Sequence, residues 1–131
     1  MTLNNVFACE QVEDILVVVP QRDLMSARDA ELRDAYNDTY RRLSEDRVLH
    51  LIFDLSGLDY FGSTFVGIMI RLAKVNNGRG GRTVLCHLND ETRNILKQLM
   101  LLENHQIESL WTRAETREIG IEWLKAQAAA E

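Results

Sequence analysis

The sequence predicts an α/β domain whose mixed, largely parallel β-sheet is accompanied by about four α-helices, in the order β-β-α-β-α-β-α-β-α. Three observations predict it. Short β-prone runs alternate with stretches of helical apolar spacing along the chain. The most apolar short run, VLHLIFDL at 48–55, reads as a central strand buried on both faces. The 131 residues suit one domain with a core of its own, and no linker, repeat or low-complexity block divides them. Helices between strands provide the crossovers that parallel pairing needs, whereas the first two strands are close enough to pair antiparallel.

Strands are expected at 6–10 and 15–19, joined tightly through Gln11-Val12-Glu13-Asp14. Pro20 closes the second, because it has no N–H for the ladder. A first helix starts near Ser26 as N-cap, with Ala27, Ala30, Tyr36, Tyr40 and Leu43 close to one face. After the strand at 48–55, Ser56-Gly57-Leu58-Asp59 turns the chain into a second helix. Its apolar positions are Phe65, Ile68, Met69, Leu72 and Val75, and it should close at Asn76-Asn77-Gly78. A strand at 83–88 follows, then a helix capped by Asn89 or Asp90 and carrying Ile95, Leu96, Leu99 and Met100. A last strand is placed at 107–111. The final helix, from about Ala114, sets Ile119 and Trp123 four apart on one face and frays in Ala128-Ala129-Ala130-Glu131.

Composition excludes several classes. At 46% hydrophobic and 27% charged, the chain is globular rather than disordered. A net charge of −5 is wrong for a general nucleic-acid binder, which neutralises phosphates with a basic face. The start, Met1-Thr2-Leu3-Asn4-Asn5, lacks the basic stretch and apolar run of a signal peptide. No apolar run nears the roughly 18 residues of a membrane span. Cys9 and Cys86, far apart, form no redox or metal motif and give no sign of secretion. The expectation is a cytoplasmic domain with no membrane or nucleic-acid partner.

Residues for chemistry are few. Gly78-Arg79-Gly80-Gly81-Arg82-Thr83 is rich in glycine but lies between a helix and the following strand, the wrong end of the unit for a phosphate loop, and no Lys follows. It reads as a helix-to-strand turn with a glycine C-cap. His50, His87 and His105 have no ligand spacing, and strand alternation sends Cys86 and His87 to opposite faces, so no metal site is expected. Asp54 ends the central strand, where α/β sheets often place functional groups. A phosphate-accepting aspartate of the receiver type would need an acidic pair after the first strand and a Lys after the last. Gln11 or Pro20 and Thr112-Arg113 stand there instead. Asp54 is therefore read as a side chain satisfied by nearby backbone donors. No catalytic group and no cofactor are expected. Ser63 remains, at or next to the N-cap of the second helix. A hydroxyl there either caps the helix, for about 1 kcal/mol, or accepts a phosphate beside the positive end of the helix dipole.

The segment Leu51-Ile52-Phe53-Asp54-Leu55-Ser56-Gly57-Leu58, followed by Phe61-Gly62-Ser63-Thr64 and Gly67, resembles the STAS domain, the family named for sulphate transporters and anti-sigma-factor antagonists. Asp23-Leu24-Met25-Ser26-Ala27 sits where that family has an Asp opening its first helix, and Gly80-Gly81 precedes a strand as in many members. The likeness spans about 6–127 in element order and length, inside a single domain of 1–131. It implies a bacterial, non-enzymatic phosphoprotein of the anti-sigma-factor-antagonist type, acting in signal transduction and transcription regulation by partner switching. The antagonist binds an anti-sigma factor that is also its serine kinase, and a cognate phosphatase resets the cycle. By position, the phosphoacceptor is Ser63, with Thr64 the second choice. The implied partner-binding set is Asp23, Met25, Gly62, Ser63, Thr64 and Phe65. The family pattern D-[ST]-[ST]-G is altered at both ends: its Asp is Gly62 here, and its Gly is Phe65. Gly62 removes a carboxylate that would orient the hydroxyl or the partner's nucleotide. Phe65 either enters the core or presents an apolar group to the partner. Two other readings remain: a STAS-fold scaffold that binds a partner or itself, as a weak homo-oligomer, with no phosphoswitch; and a small nucleotide-binding or α/β enzyme domain, which has almost no residues behind it.

Overall fold

The computed structural model describes residues 2–3, 6–21, 27–58, 61–98 and 110–130, with side chains described from residue 6 to residue 127 of these. Among the described residues, six strands form one sheet in sequence order: β1 (Thr2–Leu3), β2 (Phe7–Val12), β3 (Ile15–Pro20), β4 (His50–Asp54), β5 (Thr83–Cys86) and β6 (Thr112–Ala114). The pairs β1–β2 and β2–β3 are antiparallel, while β3–β4, β4–β5 and β5–β6 are parallel. The helices among the described residues are α1 (Asp29–Leu43), α2 (Ser63–Gly78), α3 (Asp90–Gln98) and α4 (Arg117–Ala130). This is the mixed, mostly parallel α/β fold expected, with one short edge strand added. Two residues carry no readable period, so β1 left no signal.

Strand alternation builds two cores. Leu16, Val18, Leu51, Phe53 and Leu85 face α1, α2 and α3. Ile15, Val17, Ile52, Val84 and Cys86 face the opposite way, toward Leu124 of α4. All five residues of β4 are buried, which is why it lies in the most apolar short run of the chain. Glu13, in the β2–β3 turn, takes a positive φ of 56°, and β2 runs on to Val12 to pair with Ile15.

Several expectations shift. Ser26 lies outside the described residues; the N-cap of α1 is Arg28, whose N–H donates to the Glu31 carboxylate at 3.2 Å. The buried face of α1 is Leu32, Ala35, Thr39 and Leu43, with Ala30 and Tyr40 exposed. The spacing of three and four is the same, but a tyrosine's polar tip sits well at the surface. In α4, Gly120 and Leu124 are buried while Ile119 is 47% exposed. The sheet comes close there: a Cβ on Gly120 would lie 3.1 Å from Val84. Of the strand placed at 107–111, residues 107–109 lie outside the described set, Leu110 and Trp111 are not in a strand, and β6 begins at Thr112. Leu99, Met100 and His105 also lie outside it.

The glycine-rich stretch is a helix stop. The Gly81 N–H donates to the Asn76 carbonyl and the Gly80 N–H to Asn77, each at 3.1 Å. This paired closure needs a left-handed residue, and Gly80 supplies it at φ 90°. Gly81 is needed for closeness, since a Cβ there would stand 1.8 Å from the Leu49 carbonyl oxygen.

Candidate functional site

The loop after β4 delivers the chain to the start of α2 at the end of the sheet where the parallel strands finish. Gly62 is the N-cap, in extended conformation (φ −118°, ψ −170°), and its carbonyl accepts from the Val66 N–H at 3.3 Å. With no side chain at Gly62, the helix has no side-chain cap, and its first turn holds no acidic residue. Ser63 is the first helical residue and does not serve as the cap. Ser63 is exposed, as is Thr64. The first turn of α2 thus carries two exposed hydroxyl-bearing residues and no acidic residue of its own.

Phe65 explains why those two face outward. It is 1% exposed, and its ring stands edge-on to Phe7 at 5.9 Å and to Phe61 at 5.5 Å. Such aromatic pairs add about 0.5–1.5 kcal/mol beyond burial. The anchored ring fixes the rotation of the first turn. Of the two roles open to Phe65, the structure selects the core, which removes its side chain from the partner-binding set. Gly62 is half-buried beside it. Asp23 and Met25 lie outside the described residues.

Asp54 has a different environment. It is 3% exposed and points to the α4 side of the sheet. Its Oδ1 accepts from the Ser56 N–H at 3.0 Å. Its Oδ2 accepts from Arg117 Nε at 3.1 Å and Nη2 at 2.9 Å, while Arg117 Nη1 reaches Glu10 at 2.9 Å. Burial alone would raise the Asp54 pKa, but the bonds from Ser56 and Arg117, together with nearby His87, hold it below the usual carboxylate value. The backbone donor fits the sequence reading. Arg117 had no local signal, being 63 residues from Asp54 and 107 from Glu10 in the chain.

Cys86 and His87 do not diverge as strand alternation predicts. β5 ends at Cys86, and His87 takes φ 58°, a left-handed value uncommon for a non-glycine residue. This brings its ring back, so that ligand-type atoms of Asp54, Cys86 and His87 lie within 4.8 Å of one another. His87 Nε2 accepts from the Arg117 N–H at 3.4 Å. Burial, with the Asp54 charge second, pushes the Cys86 thiol up to about 12, so it stays neutral. Both Asp54 oxygens are engaged and the guanidinium of Arg117 already supplies the cation. The cluster is a packed ionic clamp. Cys9 is buried with its sulfur 4.0 Å from Thr39 Oγ1, and burial raises its pKa too.

A third feature escaped the sequence reading. Between α1 and α2 lies a groove of about 310 Å³, to which Thr64, Ile68 and Arg71 contribute from α2, and Leu32, Arg33 and Tyr36 from α1. No local motif marks it, because its lining comes from two helices brought together by the sheet.

Comparison with known proteins agrees with this architecture. The STAS domain family model matches residues 7–117. RsbS of Moorella thermoacetica, solved as a substituted variant, is similar with a TM-score of 0.77 at 17% identity, covering 96% of this chain and 99% of its own. The anti-sigma factor antagonist SpoIIAA in its unphosphorylated form is similar at 0.72 and 16%, covering 92% and 96%. A chain from the molecular architecture of the stressosome, described as a signal integration and transduction hub, is similar at 0.73 and 16%, covering 92% and 98%. At these identities the likeness is one of fold. No curated protein matches in sequence. Among the described residues, no helix is long and apolar enough to cross a membrane.

Proposed function

The chain belongs to the STAS domain family, and from that premise we propose that it is an anti-sigma-factor antagonist-like signalling domain of the bacterial cytoplasm, switched by phosphorylation at Ser63. It binds a partner that is both anti-sigma factor and serine kinase, and a cognate phosphatase restores the binding form. The protein is the substrate of that kinase and catalyses nothing itself. One observation carries the reading: an exposed hydroxyl at the uncapped, acid-free N-terminus of α2, with the following phenylalanine locked in the core. A structural neighbour supports it, since SpoIIAA has been solved in a phosphorylated form as well.

The physics of the switch follows from that position. A phosphate adds about −1.5 to −2 charges at a helix end that favours anions by about 0.3–1 kcal/mol. The domain tolerates it. An interface fitted to a neutral hydroxyl does not, because desolvation and like-charge clash are resolved by losing the complex, at about 1.4 kcal/mol per tenfold of affinity. Incubation with the cognate kinase and ATP, followed by mass spectrometry, should find phosphate on the Ser63 peptide. Ser63→Asp should weaken partner binding at least about tenfold, with circular dichroism and melting temperature nearly unchanged. A Ser63→Asp protein that unfolds, or that binds as well as the native one, ends the proposal.

Gly62 favours a second reading. Without the carboxylate that the family pattern places there, the domain serves as a scaffold that binds a partner or a second copy and is never phosphorylated. The stressosome neighbour gives this reading its model. Sedimentation of the purified domain, with an unmodified Ser63 after kinase treatment, distinguishes it.

A further inference from the structure

The two hydroxyls at the start of α2 do not see the same surroundings. Thr64 lines the α1–α2 groove, and Ser63 does not. At about 310 Å³, against about 30 Å³ for a water's share of liquid volume, the groove has room for a phosphoryl group and its hydration. Its floor is apolar, from Leu32 and Ile68, both buried. Its cations are Arg33 and Arg71.

These arginines differ from their neighbours. Arg28 is paired with Glu31, and Arg41 and Arg42 are paired with Asp38. Among the described residues, Arg33 has no ion pair and no hydrogen bond. Arg71 stacks on the Tyr36 ring with its Cζ 4.9 Å from the centroid, and its Nε donates to the Gly67 carbonyl at 3.4 Å. The fork is held by its stem and its inner nitrogen, and its outer amino groups make no hydrogen bond among the described residues. Side chains on a helix lean toward its N-terminus, so Arg71 reaches back along α2 toward Thr64. Asp29 also lines the groove, and among the described residues the three charges there sum to +1, on a chain whose total is −5.

We propose that Thr64 is a second phosphate-accepting site, and that the α1–α2 groove, through Arg33 and Arg71, is the receptor for its phosphate. In the transfer, Thr64 Oγ1 bonds to the γ-phosphorus of ATP held by the partner kinase, the bond from that phosphorus to the bridging oxygen of ADP breaks, and the hydroxyl proton passes to a base of the kinase. The resulting phosphate meets two planar guanidinium forks, the geometry that favours bidentate pairing. It ties α1 to α2, whereas a phosphate on Ser63 stands outside the groove and is met only by the helix end. The inference rests on the kinase-substrate reading above and adds a second state to it.

The test installs phosphothreonine at position 64, or phosphoserine at 63, in the full chain by amber suppression. Each protein is compared with its own unphosphorylated form, in the native background and with Arg33→Gln/Arg71→Gln. Phosphate at 64 should raise the melting temperature by about 3–6 °C, and in a ³¹P titration its second pKa should fall below the usual value of about 6. Both effects should vanish in the double arginine variant, while phosphate at 63 should respond equally in the two backgrounds. A pThr64 pKa and melting shift unchanged by the arginine substitutions overturns the receptor. Mass spectrometry of protein isolated from the cells that make it then separates the two proposals. Phosphate on both residues supports both proposals, and phosphate on Thr64 alone supports the second site and overturns the switch at Ser63. Phosphate on Ser63 alone overturns only the second site, and phosphate on neither overturns the two together.

Discussion

The carboxylate that ends β4 and the hydroxyl that opens α2 are a few residues apart in the chain and opposite in character. Asp54 has the chemistry of a phosphate acceptor, but both oxygens are engaged, one by backbone and one by Arg117, within a buried clamp that also ties down Glu10. Ser63 is chemically modest and exposed, and it begins a helix with no side-chain cap and no acidic residue in its first turn. The difference teaches that residue type is a poor guide to which side chain is accessible here. A side chain whose hydrogen-bonding capacity is spent on holding the fold is not available to a partner. The available one is the side chain that the fold leaves with nothing to do.

Breaking the clamp should have the largest effect on stability. Arg117→Met leaves the buried Asp54 carboxylate without its cation and should destabilise the domain by about 3–4 kcal/mol, read as a lower urea midpoint. Ser63→Asp, measured alongside, should move that midpoint hardly at all while weakening partner binding at least about tenfold. If the two substitutions cost similar stability, the contrast between the regions is wrong.

The next effect is a pH dependence confined to the clamp. Asp54 has a folded-state pKa below its unfolded value, which is about 3.9. Its contribution is therefore complete above that value and is lost as the pH falls through the folded pKa. The stability gap between the native protein and Asp54→Asn should be full at pH 7 and should close below about pH 4. Denaturant titrations at pH 7, 4 and 3 measure it. A gap that stays constant over this range would show that Asp54 holds the fold by shape rather than by charge.

The smallest effect sharpens the comparison from the other side. Gly62 has an extended backbone that any residue adopts, so Gly62→Asp introduces a cap without strain. It should stabilise α2 by a few tenths of a kcal/mol and restore the carboxylate of the family pattern. Phosphate incorporation at Ser63 should be faster in this variant when followed by mass spectrometry. An unchanged or slower rate would mean that the kinase recognises this chain without a carboxylate at that position.

Much of the fold was legible because one-dimensional periods report it. The buried run of β4, the helical spacing of α2 from Phe65 to Leu72, and the glycines after α2 each depend on neighbours within a few residues. Ser63 was legible for the same reason, as the hydroxyl next to a helix start. The misplacements have physical causes. Ala30 and Tyr40 fall close to one face of α1 by spacing, yet a helix presents apolar atoms on more than one side, and only the sheet selects Leu32, Ala35 and Thr39 as its buried face. His87 departed from alternation because its backbone turns left-handed where β5 stops.

The sequence by itself determined the α/β class, the alternation of strands and helices that follows β2 and β3, and the hydroxyl at the start of α2. All of these are set by local periodicity, capping and turn chemistry. Only the tertiary structure decided that Asp54 is locked by Arg117, that Phe65 belongs to the core, and that Thr64 shares a groove with Arg33 and Arg71. Each of those facts joins residues from different elements, and their distances exist only once the strands have paired and the helices have packed on the sheet.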